Sequence, residues 1–122
     1  FYYKKGCNAR TAIYLPDIEC TYLQAPAFTE CDISTGIISG PGFKQPTYIA
    51  SVYLDIRSKT VVLNTWEKLV LHCKRYGYPL LCGVDSNSHS RNWGCPDMNA
   101  RGEKLDNFLI EHNFTIHTAF HK

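Results

Sequence analysis

Asp85, Asn87 and His89 alternate within the run Leu80-Leu81-Cys82-Gly83-Val84-Asp85-Ser86-Asn87-Ser88-His89, and Trp93-Gly94 follow closely. A carboxylate, an amide and an imidazole supply an acceptor or base, a combined donor and acceptor, and a titratable group. On a persisting strand, alternate residues share a face, so the three would project together beyond the apolar run that Pro79 opens. Such a set can orient water, steady a phosphate or hold a hard cation through oxygen. The same residues are equally the composition of a turn, because Asp, Ser and Asn side chains bond nearby backbone groups.

These residues need a frame. Leu80 to Val84 reads as a short buried strand. Thr47 to Ile56, rich in β-branched and aromatic residues, is the clearest strand of the chain. Its alternation puts Ile49, Ser51, Tyr53 and Asp55 on one face and Tyr48, Ala50, Val52 and Leu54 on the other, and Tyr53 by itself reads as a half-buried sheet tyrosine. A polar linker over Arg57–Thr60 leads to a helix starting at Asn64, where Glu67 completes a capping-box pattern. Trp66, Leu69, Val70 and Cys73 give its apolar face, with His72 packed or exposed beside it. Lys74 and Arg75 suit the last turn and Gly77 closes it. Strand, helix, strand is the order of an α/β layered domain.

Upstream, Ala9 to Leu15 is a strand candidate that stops at Pro16-Asp17, and Ile18 to Cys31 is loop around at most a short strand. Asp32 to Ser39 is a second strand, turned back at Gly40-Pro41-Gly42 into an antiparallel hairpin. Downstream, a loop with Pro96, Asp97 and Asn99 precedes a helix over Ala100–His112. Leu105, Phe108, Leu109 and His112 mark its apolar face, and Glu103, Asp106 and Glu111 its solvated ones. Thr115 to Phe120 reads as a last short strand.

At 122 residues the chain is one domain or part of one, with 44% hydrophobic residues and a net charge of +2 that permits a nucleic-acid partner without arguing for one. No apolar run approaches the roughly 18 residues of a membrane helix. Phe1-Tyr2-Tyr3-Lys4-Lys5 has no signal-peptide core and no initiator Met, which predicts a chain taken from within a longer protein. The six cysteines contain no C-x-x-C pair, so a zinc site has little support. They read as reduced thiols of an intracellular protein, with Cys73 and Cys82 as small core residues.

The stretch LLCGVDSNSHSRNWGCPDMNARGEKLDNFLIEHNFTIH resembles the back half of the endonuclease domain of non-LTR retrotransposons. Those domains belong to the endonuclease/exonuclease/phosphatase superfamily, with the apurinic/apyrimidinic endonucleases and the pancreatic-type DNases. The resemblance rests on Asp85-Ser86-Asn87-Ser88-His89, on Trp93-Gly94, and on Arg101-Gly102 before Leu105; Val84 stands where the family pattern has glycine. Ser51-Val52-Tyr53-Leu54-Asp55-Ile56 is similar to the family strand that carries a catalytic-site tyrosine.

The resemblance implies an α/β fold that is part of a two-sheet sandwich flanked by helices, a single partial domain over residues 1–122. It implies Mg²⁺- or Mn²⁺-dependent hydrolysis of a DNA phosphodiester within a reverse-transcriptase polyprotein acting in the nucleus. Asp85 would activate or orient water, Asn87 would orient that water or bond a phosphoryl oxygen, and Tyr53 would donate to the phosphate. His89 would add a supporting hydrogen bond or DNA contact, and Arg91 a phosphate contact. The family's metal-binding Glu and Asn precede the region matched here and its Asp–His pair follows it. No metal ligand is therefore assigned within the chain, and the isolated chain is expected to be inactive. DNA and the rest of the polyprotein are the implied partners, with no membrane. Two alternatives stand beside this reading: a non-catalytic remnant that binds nucleic acid or protein, and a phosphatase or phosphodiesterase of the same superfamily. Trp93-Gly94 and Arg101-Gly102 resemble the retrotransposon branch specifically.

Overall fold

The computed structural model describes residues 1–16 and 19–117. These residues form two compact units, the described parts of Phe1–Tyr53 with Leu63–Asp85, and of Leu54–Val62 with Ser86–Lys122. The first unit holds a four-stranded sheet: β1 (Thr21–Gln24), β2 (Ile33–Ser39), β3 (Thr47–Tyr53) and β4 (Leu80–Asp85), in that order across the sheet. The first three strands run antiparallel, and β4 pairs parallel to β3. A parallel pair needs a crossover, which here includes α1 (Asn64–Tyr76).

One face of β2 and β3 carries Ile33, Thr35, Tyr48, Ala50 and Val52, all buried. The side chains of α1 at the predicted helical spacing, Trp66, Leu69, Val70 and Cys73, are its buried residues. The Tyr48 phenol meets His72 Nε2 at 3.2 Å, and the His72 ring sits among Phe28, Tyr48, Tyr76 and Tyr78. His72 is thus a packed histidine. Gly77 ends the helix in the left-handed region, φ 73°, a conformation glycine adopts without a Cβ penalty.

The N-terminal segment lies on the other side of β2. Thr11 and Ser34 share a hydroxyl hydrogen bond of 2.9 Å, and the Arg10 N–H donates to the Cys31 carbonyl. The Tyr22 ring crosses directly over Gly36, where any Cβ would collide with it.

Several expectations are corrected. Ala9–Leu15 is not a strand; of it only Ile13 makes a bridge, to Tyr2. Its alternation is spent on packing against β2 rather than on a ladder. Asn64 is the first residue inside α1, because Leu63 occupies the extended capping position and no side-chain cap forms. β3 stops at Tyr53, so Leu54 to Ile56 leave the strand. β4 is not a buried strand: it lies at the sheet edge, with Leu81 63% exposed and Val84 also open. Cys7 and Cys31 form a disulfide, their Cα atoms 6.1 Å apart, so reduced thiols do not hold for this pair. The Arg10–Cys31 backbone bond brings together cysteines that are 24 residues apart. Thr115 to His117 form no strand, and the rest of that expected strand lies outside the described residues.

In the second unit, α2 (Ala100–Glu111) buries Gly102, Leu105, Asp106 and Phe108. Asp106 is therefore not solvated as expected; it accepts both of its bonds from Asn92 Nδ2, at 2.8 Å each. Among the described residues no helix is long and apolar enough to cross a membrane.

Trp66 is wholly buried, so Trp66→Ala is expected to destabilise the protein by about 3–5 kcal/mol in urea unfolding, as removal of a buried aromatic does. Burial pushes the Cys73 and Cys82 thiols from 9.0 up to about 11. The Cys82 charge adds to the effect on Cys73, and a Trp66 hydrogen bond partly offsets it at Cys82. Their folded pKa values lie above the unfolded ones. The stability they contribute is therefore complete below pH 9.0 and lost as pH rises through about 11. The urea midpoint is expected to fall between those two pH values.

Candidate active site

The parallel register of β3 and β4 sets Tyr53 beside Asp85 at the C-terminal ends of both strands. Alternation carries both residues onto the face opposite the buried Val52. Tyr53 is half-buried and Asp85 exposed. A phenol donor next to an accessible carboxylate, at strand ends, can hold an anionic oxygen and orient water.

Tyr53 has a supporting pair of its own. Its N–H donates to the Asp32 carbonyl at 2.9 Å. The Asp32 carboxylate accepts from Arg10 Nε at 2.7 Å and Nη2 at 2.6 Å. The Arg10 guanidinium in turn lies over the Tyr53 ring, 4.5 Å from its centroid. Nothing in the sequence flags this arrangement, because a lone Arg whose partners, Asp32 and Tyr53, lie far along the chain carries no spacing signal.

Asn87, His89 and Arg91 belong to the second unit. The expected alternation through Asp85, Asn87 and His89 does not form. β4 ends at Asp85 and Asn87 turns into the left-handed region, φ 45°, which Asn tolerates better than most residues. The turn reading of this composition thus describes the backbone. Asn87 Nδ2 donates to the Leu54 carbonyl at 3.0 Å. His89 Nδ1 pairs with Asp97 Oδ1 at 3.0 Å, both side chains more than half exposed. Arg91 is exposed and opens a 3-10 turn over Arg91–Trp93. Asp55, off the end of β3, pairs with Arg57.

The remaining motif pieces hold the loop in place. Asn99 caps α2: its Oδ1 accepts from the Gly102 N–H at 2.8 Å and from the His89 N–H at 3.0 Å, while its own N–H donates to the His89 carbonyl. Gly102 packs directly on that carbonyl, leaving no room for a Cβ. Arg101 donates to the carbonyls of Ser58 and Asp55, at 2.9 and 3.0 Å. Trp93 Nε1 donates to the Ser88 carbonyl, and Gly94 ends the 3-10 turn at φ 92°. Sequence reading missed Asn99, although an Asn just before a helix is an ordinary capping signal.

Among the described residues, no three His, Cys, Asp or Glu side chains gather as a metal site. A carboxylate such as Asp85 without two further gathered ligands does not fit a divalent-cation site of protein ligands alone.

The sequence model described as endonuclease-reverse transcriptase matches residues 47–121, more than half of the chain and the whole span from β3 through α2. This chain belongs to that family. It is also similar in structure to the endonuclease domain of TRAS1, a telomere-specific non-LTR retrotransposon, with a TM-score of 0.67 and 22% sequence identity. That match covers 82% of this chain and 44% of the solved one, so the chain spans less than half of that domain. At this identity the likeness establishes a shared α/β fold. No curated protein matches.

The close fit of Gly102 on His89 reverses the usual sign of a helix substitution. Gly→Ala in a helix interior normally stabilises by roughly 0.5–1 kcal/mol. Gly102→Ala is expected instead to destabilise by about 1–3 kcal/mol through overpacking against the His89 carbonyl. Chemical denaturation with purified variants measures this, and a gain in stability would sink the account.

Proposed function

We propose that this chain is the part of a metal-dependent DNA endonuclease domain that engages the scissile phosphate, nicking target DNA for a retrotransposon reverse transcriptase. The observation that carries the reading is the pairing of Tyr53 with Asp85 at neighbouring strand ends, in a chain of the endonuclease-reverse transcriptase family. Water adds to phosphorus, the bond from phosphorus to a deoxyribose oxygen breaks, and that oxygen takes a proton from solvent as it leaves, while the attacking water loses one. Negative charge gathers on the phosphoryl oxygens, so fixed donors lower the barrier. The Tyr53 phenol donates a hydrogen bond to one of those oxygens and keeps its proton. Asp85 orients the attacking water or takes its proton. Asn87, anchored on the Leu54 carbonyl, orients water or bonds a phosphoryl oxygen. His89, held by Asp97 through Nδ1, and the exposed Arg91 contact the DNA backbone.

The Mg²⁺ or Mn²⁺ that endonucleases of this kind use needs oxygen donors beyond Asp85, and the described residues do not gather them. The steps above therefore run through the protein's own groups. In this reading the working site draws carboxylates from polypeptide outside these residues, and the 122-residue chain alone does not nick. The nucleus, where chromosomal DNA lies, is the place of action. That no three metal-ligating side chains gather among the described residues favours one second reading, a form of the fold that binds nucleic acid without cutting it.

One assay separates the two. The protein expressed from its complete reading frame is incubated with supercoiled plasmid and Mg²⁺, beside an Asp85→Ala version. The parent is expected to nick, and the variant to be slower by about 10²-fold or more, the scale of a lost acid–base group. DNA binding without nicking by the parent would establish the non-catalytic reading.

A further inference from the structure

We propose that Arg10 is a positioning residue for Tyr53: with Asp32 it fixes the phenol where a scissile phosphate can accept from it. The proposal rests on reading Tyr53 as a phosphate donor, and goes beyond that reading by naming what aims the donor.

The three residues close a ring of interactions. Asp32 uses its carbonyl to hold the Tyr53 backbone and its carboxylate to hold Arg10 through two hydrogen bonds. Arg10 closes the ring by covering the Tyr53 aromatic face at 4.5 Å. A planar guanidinium can satisfy a carboxylate through a two-pronged contact and stack on a ring at the same time, whereas an ammonium cannot do both. The Arg10 backbone is itself tied down by its N–H to the Cys31 carbonyl, and Cys31 is bonded to Cys7. The geometry is more than the surface ion pair that side-chain exposures of 35% for Arg10 and 20% for Asp32 would describe. An isolated pair of this kind contributes little to stability. Here it restricts the tilt of a ring whose neighbour on the next strand is Asp85. A cation on the ring face also polarises the phenol, which strengthens its O–H as a donor toward an anion.

A double-mutant cycle in the plasmid-nicking assay tests this, using the protein from its complete reading frame. Tyr53→Phe removes only the hydroxyl and keeps the ring. It is expected to lower kcat about 10²-fold, as loss of one transition-state donor does. Arg10→Lys and Arg10→Gln are each expected to lower kcat by about tenfold with KM unchanged, through misplacement of the donor. In the Tyr53→Phe background either Arg10 change is expected to add less than about twofold, because the aimed group is already gone. Thermal melting by circular dichroism checks each fold, and Arg10→Lys carries the cycle if Arg10→Gln does not fold.

Losses that multiply on top of Tyr53→Phe would show Arg10 acting independently and overturn the proposal. So would full activity in Arg10→Lys, which would assign the effect to charge alone, or parent-like nicking by both Arg10 variants. If Tyr53→Phe nicks like the parent, the phosphate role of Tyr53 falls, and the role of Arg10 with it. A parent that does not nick overturns the endonuclease reading itself.

Discussion

The parallel pairing of β3 with β4 is the constraint on which the first unit depends. Two strands joined by a short turn run antiparallel; only a crossover lets Tyr53 and Asp85 end side by side. The crossover holds because α1 has one apolar stripe and β2–β3 has one apolar face, and each covers what the other would expose. Trp66, fully enclosed, is the largest side chain in that layer. The side-by-side placement of Tyr53 and Asp85 thus follows from burial on the opposite side of the same strands, one residue out of phase.

The second unit follows a different logic. Its loop from Ser86 to Asn99 has little regular structure, and side chains do the work a ladder would do elsewhere. Asn99 binds both partners of His89's backbone, Arg101 gathers two carbonyls of the 54–62 segment, and Asn92 reaches the buried Asp106. The Arg-Gly and Trp-Gly pieces of the motif are explained by this holding role. Arg101 supplies a rigid fork, and Gly102 supplies the missing Cβ that the approach requires.

How much of this was legible follows from what periodicity can encode. Helical spacing identified the buried side of α1 residue by residue, and alternation identified the two faces of β3. Periodicity says which residues share a side, not whether anything covers it, so the apolar run that reads as a buried strand holds the exposed Leu81. Alternation also cannot announce where a strand ends: Asp85 closes β4, and Asn87 at φ 45° breaks the pattern that the sequence continues on paper. The Asn64 cap failed because Leu63 takes the extended position one residue earlier. The contacts of Arg10 with Asp32 and Tyr53, and the Cys7–Cys31 bond, depend on where a long irregular segment crosses the sheet, which no local pattern records.

The open position of β4 has a consequence for the behaviour of the chain in solution. Among the described residues it is an edge strand with an exposed Leu81 and Val84, and its outer backbone groups have no ladder partner. An apolar edge is a template onto which another extended segment can add by main-chain hydrogen bonds, the first step of self-association. Three features restrain it: Pro79 just before the strand lacks an N–H, Gly83 in the middle lowers strand propensity, and Asp85 ends it with a charge. The Asp85 carboxylate is therefore also a guard against aggregation, so neutralising it affects solubility as well as the charge at the strand ends.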